Sequence, residues 1–109
     1  MLKADRIRLQ HMFDAAKEAL EFIRGKGRSD LDKDRMLVLA LIKDLEIIGE
    51  AANKISAEVR NQNSAIRWQD IIGMRNRLIH GYFDINLDIV WSTVTKELPS
   101  LKSELETLL

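Results

Sequence analysis

Residues 37–59 read LVLALIKDLEIIGEAANKISAEV, and this stretch decides the fold. Leu37, Leu41, Leu45, Ile48, Ala52, Ile55 and Val59 recur every three or four residues, which is one face of a helix held for about six turns. Val38, Leu39, Ile42 and Ile47 widen that face, so the helix must bury itself against more than one neighbour. Gly49, Ala52 and Ser56 are small and share a flank, where another helix can approach closely. The same stripe offers one way for two chains to pack. Upstream, Ser29-Asp30-Leu31-Asp32 reads as the helix start, with a capping hydroxyl and an acid three residues on.

Working outward, Leu9, Met12, Phe13, Ala16, Leu20 and Ile23 form an earlier amphipathic helix. Gly25 and Gly27 stop it, and Gly25 is placed to take a left-handed cap. After the polar break Asn61-Gln62-Asn63-Ser64, a third helix is expected from about Arg67 to His80, with Gly81 ending it. Trp68, Ile71, Ile72, Leu78 and Ile79 line one side of it, while His11 in the first helix reads as a surface or packed residue. Asp84 or Asn86 caps a fourth helix with the face Leu87, Val90, Trp91, Val94, Leu98, Leu101, Leu105 and Leu108. Pro99 falls inside that pattern, where a missing amide and a ring clash predict a kink or a restart. The expected architecture is all-α: an up-and-down bundle of four to five helices in one domain spanning residues 1–109.

Composition narrows the function. Hydrophobic residues make up 46% of the 109, enough for a core, and one proline with five glycines favours helices over many short strands. With no cysteine, disulfides and thiolate metal sites are excluded, and a reducing cytoplasm is the expected compartment. No apolar run approaches the roughly 20 residues needed to span a bilayer, so no membrane association is expected. Seventeen basic residues balance seventeen acidic ones, so nucleic-acid contact would need a local patch. Residues 60–80 supply it: Arg60, Arg67, Arg75 and Arg77 against Asp70 alone.

Only His11 and His80 are present, and no metal-ligating spacing or phosphate-cradling glycine loop occurs. What remains is a basic helix ending in histidine. In a last helical turn the macrodipole would favour protonated His80, which suits acid/base work near neutral pH. Asn76, four residues earlier, would share its face. Arg75 would sit about 140° away around the helix, on an otherwise apolar side. There it either pairs with an acid such as Glu50 or lines a groove. One chain cannot easily converge Arg75 and His80 on one phosphate; two chains packed about this helix could. On residue physics alone, a helix-capping His80 and a structural Arg75 ion pair compete with a catalytic role.

Arg75-Asn76-Arg77-Leu78-Ile79-His80-Gly81-Tyr82 resembles the Arg-x4-His-x-Tyr motif of HEPN-domain toxins of the HepT type. Leu45-Glu46-Ile47-Ile48-Gly49-Glu50-Ala51-Ala52, Trp68-Gln69-Asp70-Ile71-Ile72-Gly73-Met74, Asp88-Ile89-Val90-Trp91 and Leu98-Pro99 resemble the flanks of that motif in the family.

The resemblance implies a homodimeric ribonuclease that needs no metal or other cofactor, with the Arg and His motifs of both chains in one cleft. It implies Arg75 and His80 as the catalytic pair; the residues themselves add Asn76 in support, Arg67 and Arg77 as an RNA-binding patch, and Glu50 and Gly81 as structural support. It implies a minimal nucleotidyltransferase antitoxin as partner, transferring AMP from ATP onto Tyr82. The rival expectations are a non-catalytic helical HEPN module that associates with a nucleotidyltransferase or a nucleotide, and a nucleotide-binding regulator.

Overall fold

The computed structural model describes residues 1–80 and 84–109, with His80 described by its backbone. Its centre is α3 (Arg35–Lys54), ten of whose residues are buried. α1 (Lys3–Phe22) packs along one side of α3, with α5 (Trp68–Ile72) and α6 (Met74–Leu78) on another. α7 (Leu87–Ser92), a π-helical turn (Thr93–Glu97) and α8 (Leu98–Leu108) complete the bundle against α1, α3 and α6. Leu9, Met12, Leu41, Leu45, Ile48, Leu78, Val90, Leu98 and Leu105 meet in one core and are essentially inaccessible. The class is all-α, and no helix of the described residues is long and apolar enough to cross a membrane.

The long helix expected from Ser29 to Val59 is three helices. Asp30–Lys33 (α2) is a single turn, and Ser29 makes no side-chain cap bond. Asp34 breaks the run: it is extended, and its carboxylate accepts the Leu37 amide at 3.0 Å, capping α3. At the other end Ile55 is extended and Ser56 caps α4 (Ala57–Gln62), so Val59 lies on a separate helix. Asp5 of α1 stabilises this joint. Its carboxylate accepts the Ser56 amide at 2.9 Å and the Ser56 hydroxyl at 2.8 Å. A contact between residues 51 positions apart leaves no trace in local periodicity.

Gly25 adopts φ +74 after α1, the left-handed conformation expected of it. The loop behind it is tied down by Arg28, which donates to Asp88 of α7 at 2.8 Å and to Asp32 of α2 at 3.2 Å. Of the two candidate caps for the last helix, Asn86 takes the role by accepting the Ile89 amide at 3.1 Å. Asp84 lies instead in a two-residue strand. Pro99 produces a restart. The Leu98 amide reaches back five residues to the Thr93 carbonyl, and Pro99 enters the first turn of α8, where its missing amide costs nothing.

Candidate active site

The third helix of the sequence reading is interrupted twice. α5 ends at Gly73, which allows a restart: the Gly73 amide bonds Gln69 O at 3.0 Å, and Gly73 O accepts the Asn76 amide at 3.1 Å. Close approach of α5 to α3 depends on Gly49, where a Cβ would lie 3.2 Å from the Ile71 carbonyl oxygen. The small-residue flank is thus consumed inside the chain. Gly49 faces α5, Ala52 is fully buried and Ser56 caps α4, so this stripe is not available to a second copy as expected.

α6 is five residues long and pinned at both ends. Met74 and Leu78, four apart, are buried at 1% and 0% exposure. The residues between them, Arg75, Asn76 and Arg77, therefore project outward and are exposed. Arg75 Nε donates to Glu46 Oε1 of α3 at 3.4 Å, with the arginine side chain 54% exposed. The partner is Glu46 and not the expected Glu50, which lies one turn further along α3, is exposed, and forms no ion pair among the described residues. A pair this long and this wet holds the guanidinium only weakly.

The helix stops two residues before His80. Ile79 is extended (φ −126, ψ 124), and Ile79–His80 (β1) pairs antiparallel with Asp84–Ile85 (β2), in the register Ile79 to Ile85 and His80 to Asp84. The Asn86 amide closes the hairpin onto Leu78 O at 2.7 Å. Because His80 is in a strand, neither the helix dipole nor a face shared with Asn76 acts on it; both expectations are corrected. β-branched Ile79 suits this extended geometry better than another helical turn. Gly81, expected to end the helix, and Tyr82 lie outside the described residues.

Arg67 and Arg77 converge on Asp70. Arg67 Nη2 lies 2.7 Å from the Asp70 carboxylate, while Arg77 Nη2 donates to the Asp70 carbonyl at 3.3 Å and sits 3.6 Å from Glu97. The patch is therefore more neutralised than its sequence suggests, since Glu97 arrives from the π-helical turn. Beyond Arg67 the surface opens into a shallow cleft of about 520 Å³ lined by Arg60, Asn61, Ser64, Arg67 and Gln69 among others. The result is a ridge carrying Arg75 and Asn76, followed in the chain by His80 and flanked by Arg77, Arg67 and Arg60: donors for an anionic, phosphate-bearing ligand. Sequence reading missed Glu46, although it stands one turn before Glu50 on the same helix.

The Ribonuclease HepT-like family matches residues 12–108 of the chain. A protein of Caldanaerobacter subterraneus subsp. tengcongensis, named provisionally as an RNase, is 37% identical over 108 residues, 99% of this chain and 96% of the relative. "Probable ribonuclease HepT" of Thermococcus cleftensis is 35% identical over 100 residues, covering 92% and 91% of the two chains. A provisionally named RNase of Methanocaldococcus jannaschii is 33% identical over 98 residues, 90% of each chain. No solved structure matches the chain. A motif ridge of this kind on a helical bundle, with that match across nearly its whole length, places the chain in the HepT-like ribonuclease family.

Proposed function

We propose that this protein is the toxin of a toxin–antitoxin pair, a cytoplasmic RNA endonuclease that works without a metal ion. The observation that carries the reading is Arg75: half-exposed on α6, restrained among the described residues only by a 3.4 Å bond to Glu46, and five residues ahead of His80. An RNA 2′-hydroxyl attacks the adjacent phosphorus, with His80 taking or supplying the proton. Arg75 stabilises the charge that develops on the phosphoryl oxygens, and Asn76 orients the phosphate. The products are a 2′,3′-cyclic phosphate and a 5′-hydroxyl. The nucleophile belongs to the substrate, so no metal-bound water is needed. The working cleft belongs to a homodimer, in which the motif of each chain completes the other, and Arg67 and Arg77 extend it along the RNA backbone.

Control is assigned to Tyr82 and to a minimal nucleotidyltransferase antitoxin. AMP on that phenol adds bulk and negative charge two residues from His80, which repels RNA phosphate.

Cleavage of RNA in excess EDTA by wild type, His80→Ala and Arg75→Ala tests the chemistry. Cyclic-phosphate ends from wild type alone are expected; equal cleavage by all three refutes the assigned roles. Mass spectrometry after incubation with ATP and the antitoxin tests control, and modification elsewhere with Tyr82 clean rejects it.

A further inference from the structure

The turn between α4 and α5 is held by its own hydrogen bonds. Asn63 Nδ2 donates to Val59 O at 2.9 Å, and Asn63 O accepts both the Ile66 amide at 3.1 Å and Trp68 Nε1 at 3.0 Å. Ile66 and Trp68 are buried and anchor the turn in the core. The end of α4 and the start of α5 are thereby fixed on either side of the 520 Å³ cleft. Arg60 and Asn61 line it from α4, Arg67 and Gln69 from the start of α5, and Ser64 from the turn between them.

The donors around this cleft are largely unspent. Arg60 is partly buried and forms no ion pair among the described residues, and the side chains of Asn61, Ser64 and Gln69 make no hydrogen bond among them. The single carboxylate in the lining, Asp70, is engaged by Arg67 Nη2 at 2.7 Å. The charge of Arg60 is thus left uncompensated in a cleft that otherwise offers neutral hydrogen-bonding groups. Asp70 also joins the cleft to the motif ridge, because its carbonyl accepts Arg77 Nη2 of α6 at 3.3 Å.

A backbone phosphate is held by cations, whereas a base is read by neutral donors and acceptors at its edge. Asn61 and Gln69 each present an amide donor beside an acceptor, the pairing that matches a base edge. A free nucleotide is ordinarily held in a pocket that encloses most of its surface. This cleft is shallow and open, a shape that a strand can pass through.

We infer that the cleft is a subsite for one unpaired nucleotide of the RNA flanking the cut, with Arg60 and Arg67 holding its phosphate and Asn61, Ser64 and Gln69 reading its base edge. The subsite rests on the ribonuclease activity proposed for Arg75 and His80, and it sets where along the strand that activity falls. The nucleotide must be unpaired because an RNA duplex hides most of its base edges in a deep, narrow groove.

Fluorescence anisotropy of uncut single-stranded RNA on His80→Ala, across a range of salt, measures the phosphate contact. Adding Arg60→Ala should weaken binding and reduce the magnitude of the slope of log K against log salt by about 0.7, the share of one single-strand phosphate. Sequencing of the ends cut from a random RNA pool measures base reading. Wild type should favour one base at a fixed distance from the cut by about tenfold, and the double variant Asn61→Ala/Gln69→Ala should flatten that preference. Both sets of variants should keep the parental melting temperature, so that lost binding is not lost folding. An unchanged slope, a preference absent from wild type or surviving in the double variant, or equal affinity for blunt duplex RNA overturns the subsite and leaves the ribonuclease reading standing. Saturable binding of AMP that Arg60→Ala abolishes, with RNA binding untouched, gives the cleft to a free nucleotide and overturns it too. Absence of cleavage by wild type defeats the ribonuclease reading instead, and the salt slope still decides whether the cleft holds RNA phosphate.

Discussion

Arg75 and Glu46 meet at 3.4 Å across the α3–α6 contact while more than half of the arginine side chain stays in solvent. An exposed pair of this length contributes little to folding, about 0–1 kcal/mol. Glu46→Gln should therefore leave the melting temperature almost unchanged. Arg75→Ala should do the same to stability yet reduce RNA cleavage by about 10²–10³-fold, the usual cost of removing one donor to a developing oxyanion. Parallel melts and single-turnover cleavage decide it; a large loss of stability in Arg75→Ala would make its role structural.

Gly49 sets how closely α5 approaches α3. Gly49→Ala would place a methyl 3.2 Å from the Ile71 carbonyl oxygen, a backbone atom that cannot rotate away. Overpacking of this kind costs about 1–3 kcal/mol. Because α6 follows α5 directly, Arg75 should shift as well, so cleavage should fall together with the urea midpoint. Gly49→Ala with wild-type stability would show that the contact is loose.

Asn86 closes the hairpin with its backbone and caps α7 with its side chain. Asn86→Ala removes only the second function and should cost about 0.5–2 kcal/mol. Asn86→Asp, which keeps the acceptor, should recover most of it. Failure of the aspartate to rescue would assign the loss to the hairpin.

Two buried acids should shape the pH profile in opposite senses. At the α3–α4 joint the Ser56 amide, then its hydroxyl, hold the Asp5 carboxyl below its ordinary 3.8. The unfolded chain binds that proton first, so the contribution of Asp5 is present above that value and lost as pH falls below it. Asp5→Asn should therefore melt lower at neutral pH and flatten the acid limb of the profile. Asp44 behaves in reverse. Burial and Glu18 raise it to about 7, with His11 and Asp14 lining the open crevice beside it. The folded state holds the proton between 3.8 and about 7, so stability falls as pH rises through that window. Asp44→Asn should remove that slope and exceed wild type in stability at pH 8. Urea unfolding from pH 3 to 8 reads both effects; identical slopes in wild type and Asp44→Asn would dismiss the buried-acid account.

What the sequence determined by itself was the set of amphipathic faces and the motif. The apolar repeats at Leu9–Leu20, Leu37–Ile48 and Leu87–Leu108 name the three long packing surfaces, because a helix of period 3.6 has one way to bury such a pattern. Gly25 and Asn86 were legible as punctuation, since their roles depend on their own backbone and side chain. Only the tertiary structure decided where α3 and α6 end. Asp5 closes α3 at Ser56, an interaction between residues 51 apart. The antiparallel pairing of Ile79–His80 with Asp84–Ile85 ends α6 before His80. Glu46 reaches Arg75 from 29 residues away in the chain. Each of these is a hydrogen-bonding choice that helical periodicity does not encode, because periodicity carries no information about which donor or acceptor folding brings within reach.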